Sequence, residues 1–394
     1  MRLVDITELF MHELRDRGVI QTWYVKPALQ AGPLRHEYLK GTEIIVPPTI
    51  TAGGAVGKTL TLLGYWFFET VFMLRQLAKP PDAILVRDKY WGAVLGYFVA
   101  RACGAKLLIW LSYPYPEHDT EEAGSTHGWR RLLRRARASL GYRMLYRFAM
   151  PRADHCFVQS DQMKRDLLQW GIRPERMTPV PMGISKRVFD SIDVSTPPAM
   201  PPVVLYLGTL AGVRKLEILV DTFALVHRQR PDVRFQFVGS GNVPHEREAL
   251  EKRVHEQGLD GVVQFTGQLP MAEAWKLTGA ASVCVSPFRT TPVLRVASPT
   301  KFVEYLAFAK PTVGNTHPEH SAIAQASRGA LTVEWSPEAF ADAILWCLDH
   351  PEEAREMAAR GREWVRGHRT YERIADMVHQ ELMRIVLERE PSKG

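Results

Sequence analysis

Metal-ligand patterns are missing from this sequence. Its 394 residues include only four cysteines, Cys103, Cys156, Cys284 and Cys347, and no two form a Cys-x-x-Cys pair. That spacing argues against both a disulfide scaffold and a zinc site. Three of the four sit in apolar runs and read as reduced core thiols, which points to the cytosol. No His/Cys/Asp cluster has ligand spacing, and no Asp-x-Asp occurs, so no bound metal is expected. Long apolar runs are missing too. The longest, Leu60 to Leu74, contains Glu69 and falls short of the roughly 20 residues a spanning helix needs. Met1-Arg2-Leu3 is followed at once by Asp5 and Glu8, so no secretory signal is expected. Charge of one sign is in short supply as well, with 50 basic against 43 acidic residues and a net +7. Such a balance fits an anionic ligand or a phospholipid surface, and no motif for nucleic-acid binding accompanies it.

The turn Gly53-Gly54-Ala55-Val56-Gly57-Lys58-Thr59 lacks the Walker A pattern. The glycine required five positions before Gly57 is Ala52, and Pro47-Pro48 breaks the strand that should precede it. A nucleotide-hydrolysing loop is therefore not expected. A glycine-rich turn on an acceptor side remains open.

What is present is regular alternation. Gln21–Val25, Glu43–Val46, Asp82–Arg87 and Lys106–Leu111 read as strands, with helices over Leu9–Arg17, Thr59–Ala78 and Tyr90–Cys103. This pattern argues for a doubly wound parallel sheet. The opening strand and Gly-rich turn of such a half are not found, so either the start lies upstream or the strand has been lost. Residues 117–128 read as a polar, mobile loop. Trp129 to Arg152 carries eight arginines (130, 131, 134, 135, 137, 143, 147 and 152) among Leu132, Leu133, Leu140, Tyr142 and Phe148. It reads either as a solvated helix covering the sheet or as a basic amphipathic surface for anionic lipid. Ser160 caps a helix from Asp161, and 185–202 reads as a linker without periodicity.

The second half alternates more clearly. Strand Val203–Leu207 ends in Gly208-Thr209 and is followed by Arg214-Lys215. Strand Val233–Val238 ends in Gly239-Ser240-Gly241, and Val262–Gly267 leads to Gln268. After strand Val283–Val285 a helix is expected with Ser298 as N-cap and Pro299 at its first position. Thr300, Lys301 and Glu304 share one face of this helix, while Phe302, Val303, Leu306 and Ala307 point to a core. Free backbone N–H groups and the positive end of the helix dipole suit an anion. A carboxylate just beyond can accept two hydrogen bonds from a vicinal diol. Diphosphate and ribose of a sugar nucleotide present those groups in that order.

Ser298-Pro299-x-Lys301-x-x-Glu304-Tyr305-Leu306-Ala307-x-x-Lys310-Pro311-Thr312-Val313 resembles the C-terminal half of the donor site in glycosyltransferase family 4, retaining enzymes of the GT-B fold. The likeness covers residues 200–385 well and 80–184 loosely. It implies an α/β fold: two Rossmann-like domains face each other across a cleft, and a C-terminal helix crosses back to the N-terminal domain. Residues 1–184 would form the acceptor-side domain, 185–202 the linker, 203–370 the nucleotide-sugar domain and 371–394 the crossover helix and tail.

The resemblance also implies site roles. Arg214 and Lys215 would grip the donor diphosphate and Glu304 the ribose. Gly208, Thr209, Gly239, Gly241, Gln268, Pro299, Thr300 and Lys301 would line the nucleotide pocket. Members of the family need no metal for the leaving group, and no cofactor is expected beyond the nucleotide diphosphate sugar, which is the donor substrate. The acceptor would be a glycan or a lipid-linked sugar at the inner face of a membrane. Two departures stand out. Val296 replaces the earlier glutamate that faces the donor sugar in many members. Ser112 stands where many carry histidine, leaving Asp88 and His118 as the nearest groups to an acceptor hydroxyl. Two rivals remain open, a same-fold epimerase or phosphorylase and a degenerate subunit that binds a partner or the membrane.

Overall fold

The computed structural model describes residues 6–26, 32–48 and 54–387. Ala52 and Gly53, which decide the Walker reading, lie outside them. The chain forms two compact units, 1–180 with 374–394, and 181–373.

In the first unit β1 (Thr22–Tyr24), β2 (Arg35–Leu39) and β3 (Thr42–Val46) form a small sheet in the order β1-β3-β2. β2 pairs antiparallel to β3. Its sequence, Arg-His-Glu-Tyr-Leu, is exposed throughout and lacks apolar alternation, so no strand is expected there. A second sheet joins β4 (Ala83–Arg87), β5 (Lys106–Leu111), β6 (His155–Val158) and β7 (Met177–Pro179) in that order, all parallel. Leu107 to Leu111 are buried on both faces of β5, as a parallel strand under helices must be. The helices are α1 (Gly54–Arg75), α2 (Tyr90–Cys103), α3 (Tyr115–Ser125), α4 (Gly128–Gly141) and α5 (Asp161–Leu167). A π-helical stretch, Tyr142–Ala149, continues α4. Ser160 Oγ accepts the Met163 N–H at 3.1 Å and caps α5 as expected.

Two expectations for this unit are corrected. Gly54 to Thr59 lie inside α1, so the glycine-rich segment is helix from Gly54 onward rather than an acceptor-side turn. Residues 117–128 are mostly α3 and not a mobile loop. Pro116 opens the helix, and buried Asp119 receives Arg134 at 3.1 Å and Arg137 at 3.0 Å from α4. Those ion pairs are long-range, and local polarity does not report them.

The second unit holds six parallel strands: β8 (Val203–Leu207), β9 (Arg234–Val238), β10 (Val263–Gly267), β11 (Val283–Ser286), β12 (Thr312–Asn315) and β13 (Leu331–Val333). Their order is β10-β9-β8-β11-β12-β13. This is the doubly wound arrangement whose strand order reverses between the first and fourth strands, here β8 and β11. The linker expectation needs correcting, because α6 (Lys186–Ser191) forms within it and buries Phe189 against the Arg362 guanidinium, 4.2 Å from the ring centre. The remaining helices are α7 (Glu217–Gln229), α8 (Pro244–Glu256), α9 (Met271–Ala280), α10 (Thr300–Ala307), α11 (Pro318–Ser327), α12 (Pro337–Asp349), α13 (Pro351–His368) and α14 (Tyr371–Leu387). A core of Val204, Phe223, Phe235, Phe237, Val283 and Phe340 fixes the sheet against α7 and α12.

Helix α14 begins in the second unit and from Ile374 belongs to the first. Ile374, Val378 and Ile385 are buried, each contributing roughly 1.5–3 kcal/mol. Asp376 accepts from Arg17 at 2.6 Å, and Glu381 meets His155 at 3.2 Å. Among the described residues no helix is long and apolar enough to cross a membrane.

Candidate active site

The carboxyl ends of β8, β9 and β10 are laced together by backbone. The Gly208 N–H reaches Val238 O at 2.9 Å, and the Gly239 N–H reaches Gly267 O at 3.0 Å. Gly239 has φ +141, and a Cβ there would lie 2.0 Å from Gly208 O. Only glycine fits that approach. Thr209 and Gln268 are exposed on the same rim, and Thr209 O accepts from Tyr206 Oη at 3.1 Å. Gly241 packs against Glu246, whose carboxylate accepts the N–H groups of Gly212 at 2.8 Å and Asn242 at 2.7 Å. Those backbone hydrogen bonds, Gly212 first, hold its pKa below the usual value.

Glu246 therefore shapes the turn that carries Arg214. Its signal in the sequence is a glutamate three positions into a helix opened by proline, a capping pattern. Arg214 ends a short 3-10 turn, and its guanidinium lies 4.5 Å from the Phe288 ring centre. Lys215 follows in the left-handed region, at φ +52, and is exposed. Phe288 is held by Asn315, whose Oδ1 accepts the Phe288 N–H at 2.7 Å and whose Nδ2 donates to Phe288 O at 3.0 Å. The loop after β8 and the loop after β11 thus meet at the point where strand order reverses, the place open α/β sheets reserve for ligands.

Helix α10 completes this rim. It starts at Thr300 with Pro299 as N-cap and no side-chain cap. Ser298 is not the cap that its sequence position suggests. Its Oγ accepts the Met182 N–H at 3.0 Å and donates to Glu319 Oε1 at 3.1 Å, and Arg369 pairs with the same carboxylate oxygen at 2.7 Å. The first N–H groups of α10 are left without a side-chain acceptor. Glu304, 12% exposed, accepts from Lys301 Nζ at 2.7 Å. Neighbouring Tyr305 is buried, and its Oη accepts the Leu207 N–H at 2.7 Å, fastening α10 to the end of β8. Val296 is buried in the turn before α10.

All eleven residues expected to bind or activate the donor lie in the second unit, on the loops and helix ends that surround the carboxyl edge of its sheet. The acceptor-side candidates lie in the first unit. The Ser112 N–H reaches Asp88 Oδ1 at 2.8 Å and its hydroxyl donates to Asp88 Oδ2, while His118 Nδ1 meets Tyr113 Oη at 3.1 Å. Asp88 and Ser112 are therefore brought together, and His118 is turned to a tyrosine. Among the described residues no group of three His, Cys, Asp or Glu is arranged to hold a metal ion.

A doubly wound sheet with basic, glycine and carboxylate groups at its switch point is the arrangement in which open α/β proteins place a ligand. Two family models match the chain: a glycosyl transferase 4-like domain over residues 7–183 and a glycosyl transferases group 1 domain over residues 201–350. Together they span most of it, and the chain belongs to the GT-B glycosyltransferases of the family 4 type. It is similar to mannosylfructose-phosphate synthase of Agrobacterium fabrum, 29% identical over 120 residues that cover 29% of this chain and 25% of the relative. The chain thus matches about a quarter of that enzyme's length. Sucrose-phosphate synthase from Thermosynechococcus elongatus shares the fold, with a TM-score of 0.67, 19% identity and coverage of 96% of this chain and 92% of that one. So does Anabaena HepE in complex with UDP-glucose, with a TM-score of 0.57, 16% identity and coverage of 84% and 90%.

Proposed function

We propose that the protein transfers a sugar from a nucleoside diphosphate sugar to a glycan or lipid-linked acceptor, with retention at the anomeric carbon and without a metal ion. The observation that carries this reading is the meeting of Arg214 and Phe288 at the reversal of strand order, beside the uncapped start of α10. Arg214 and Lys215 would hold the diphosphate, Arg through paired donors and Lys as a point charge. The N–H groups of Thr300 and Lys301 would add the helix dipole. Glu304 would take the ribose diol, with Lys301 keeping its carboxylate oriented. Gly208, Thr209, Gly239, Gly241 and Gln268 would line the nucleoside end of the pocket. Pro299 would set the start of α10. HepE was solved with UDP-glucose, and the shared fold supports a sugar nucleotide as donor here.

In the transfer, the bond from the anomeric carbon to the diphosphate oxygen breaks and the acceptor oxygen bonds to the same face. The acceptor proton passes to the departing diphosphate. Charge grows on that diphosphate as the bond breaks, so the cationic cluster stabilises the transition state more than the bound donor. Residues 129–152 would bring the protein to the anionic inner face of a membrane, where a lipid-linked acceptor waits.

A non-catalytic nucleotide-binding subunit is the second reading, favoured by buried Val296 where many members place a glutamate. Thermal-shift measurements with uridine, guanosine and adenosine diphosphates, followed by transfer from the matching radiolabelled sugar nucleotide, separate the two. Nucleotide stabilisation with transfer supports the enzyme. Stabilisation without transfer to any glycan or lipid-linked acceptor supports the subunit, and no stabilisation removes both.

A further inference from the structure

Two helices of the first unit carry their apolar sides outward. In α4, Trp129, Leu132, Leu133, Ala136 and Leu140 repeat at the spacing of one helix stripe. A helix lying on a globular core turns that stripe inward. Here Trp129 is 68%, Leu132 70% and Leu133 57% exposed. The opposite side faces the protein, with Ala138 and Gly141 buried and Arg134 reaching buried Asp119. α4 is thus fastened by its polar side.

α1 repeats the arrangement. Leu63, Trp66, Phe67 and Leu74 are exposed on one side, Phe67 at 64%. The inward side carries Tyr65 and Glu69, and Glu69 accepts from Lys89 Nζ at 2.7 Å. α1 packs on α2, and α2 packs on the π-helical continuation of α4, so the two stripes sit on successive elements of one unit. α2 adds exposed Phe98, whose ring lies 5.9 Å from that of Phe148.

An apolar surface of this extent marks an interaction site, and charge selects the occupant. Residues 128–152 contain eight arginines and no Asp or Glu. The single acid of α1 is Glu69, buried against Lys89. Exposed Arg130 and Arg135 flank the α4 stripe, and exposed Arg143 lies on its π-helical continuation. A second copy of this face would bring arginine against arginine. An anionic bilayer offers hydrocarbon to the stripes and phosphate to the flanks at the same depth. Tryptophan favours that boundary, and long arginine side chains reach back from it to the headgroups.

We propose that α1 and α4 together form a docking surface for an anionic phospholipid bilayer, with the α4 stripe lying among the headgroups and α1 supplying a second apolar contact. This rests on the membrane approach assigned to 129–152, adds α1, and fixes which side of α4 enters the lipid. It does not depend on the sugar chemistry.

Co-sedimentation of the full chain with phosphatidylcholine vesicles, with and without phosphatidylglycerol, tests it. Binding is expected only with phosphatidylglycerol, falling as salt rises. Trp129→Glu with Leu132→Glu and Leu133→Glu should weaken it at least about tenfold, and Trp66→Glu with Phe67→Glu should do likewise. Arg130→Gln with Arg135→Gln should weaken binding and flatten its salt dependence. Nucleotide stabilisation of every variant should match that of the parent, which shows the fold intact and keeps this outcome separate from the donor site. No vesicle binding, or equal binding to neutral vesicles, overturns the proposal. Full binding by the α1 variant overturns the two-helix surface. Dimer dissociation in the variants with vesicle binding unchanged assigns the stripe to a second copy and overturns it as well.

Discussion

The guanidinium of Arg214 lies over the ring of Phe288, 4.5 Å from its centre, joining the loop that follows β8 to the loop that follows β11. The negative face of the ring attracts the cation and holds it in place. Replacing Phe288 by alanine should weaken nucleoside diphosphate binding roughly 2- to 30-fold without changing the fold. Arg214→Ala should weaken it at least tenfold, about the worth of a charged hydrogen bond. Isothermal titration calorimetry on both variants and their double mutant checks the coupling. Strictly additive losses would falsify the positioning role of Phe288.

Glu304 is predicted to bind the ribose diol. Glu304→Ala and removal of the nucleotide 2′-hydroxyl should each weaken binding, and their combination should cost no more than one alone. Lys301→Met should lower affinity as well, because the 2.7 Å ion pair orients the carboxylate. Titration of parent and variants with the tightest nucleoside diphosphate and its 2′-deoxy form reads this directly. Transfer should be abolished in Lys215→Ala and Glu304→Ala while circular dichroism stays unchanged.

Gly239→Ala should destabilise the second unit by at least about 2 kcal/mol. The added methyl meets Gly208 O at 2.0 Å, at a φ that L side chains rarely adopt. Urea unfolding measures the loss, and Gly258→Ala, with open space at its Cβ, serves as the comparison for positive φ alone.

Glu319 and Arg369 form a buried ion pair, with Ser298 donating to the same carboxylate. Removing one partner leaves the other charge buried, at a cost of about 3–5 kcal/mol. Glu319→Gln and Arg369→Gln should each be strongly destabilising, and the double variant markedly less so than their sum. Ser298→Ala should be milder and should reduce nucleotide affinity, since it frees the loop that leads into α10.

The attachment of α14 should depend on pH. Burial pushes His155 down to about 4, against the attraction of Glu381 and alongside the repulsion of Arg384, Lys164 and Arg176. Thr178 Oγ1 occupies its other nitrogen at 2.8 Å. Glu381 is held low, chiefly by its hydrogen bond from Arg384. An unfolded histidine takes its proton near 6.5 and the folded one only near 4. The unfolded state therefore binds more protons across that window, and stability falls as pH drops through it. The depressed Glu381 loses its contribution in the same direction. Urea unfolding from pH 7.5 to 4.5 should show this slope, and His155→Gln should flatten it.

Much of the donor half was legible from local pattern. Strand β8 ending at Gly208, the basic pair six and seven positions on, α10 with Thr300, Lys301 and Glu304 on one face, and the long α14 all follow from apolar periodicity and from glycine and proline placement. These signals are local because backbone conformation and side-chain period are local. Partners distant in the chain were not legible. Ser298 reads as a cap and instead binds Met182 and Glu319. Residues 117–128 read as loop, and 117–125 instead fold in α3, because Asp119 finds Arg134 and Arg137. Periodicity shows that Trp129, Leu132 and Leu133 share a side of α4, but not which way that side points. That direction, like the meeting of Arg214 with Phe288, depends on strand order and on where buried charges find their counter-charges, and only the assembled chain settles those.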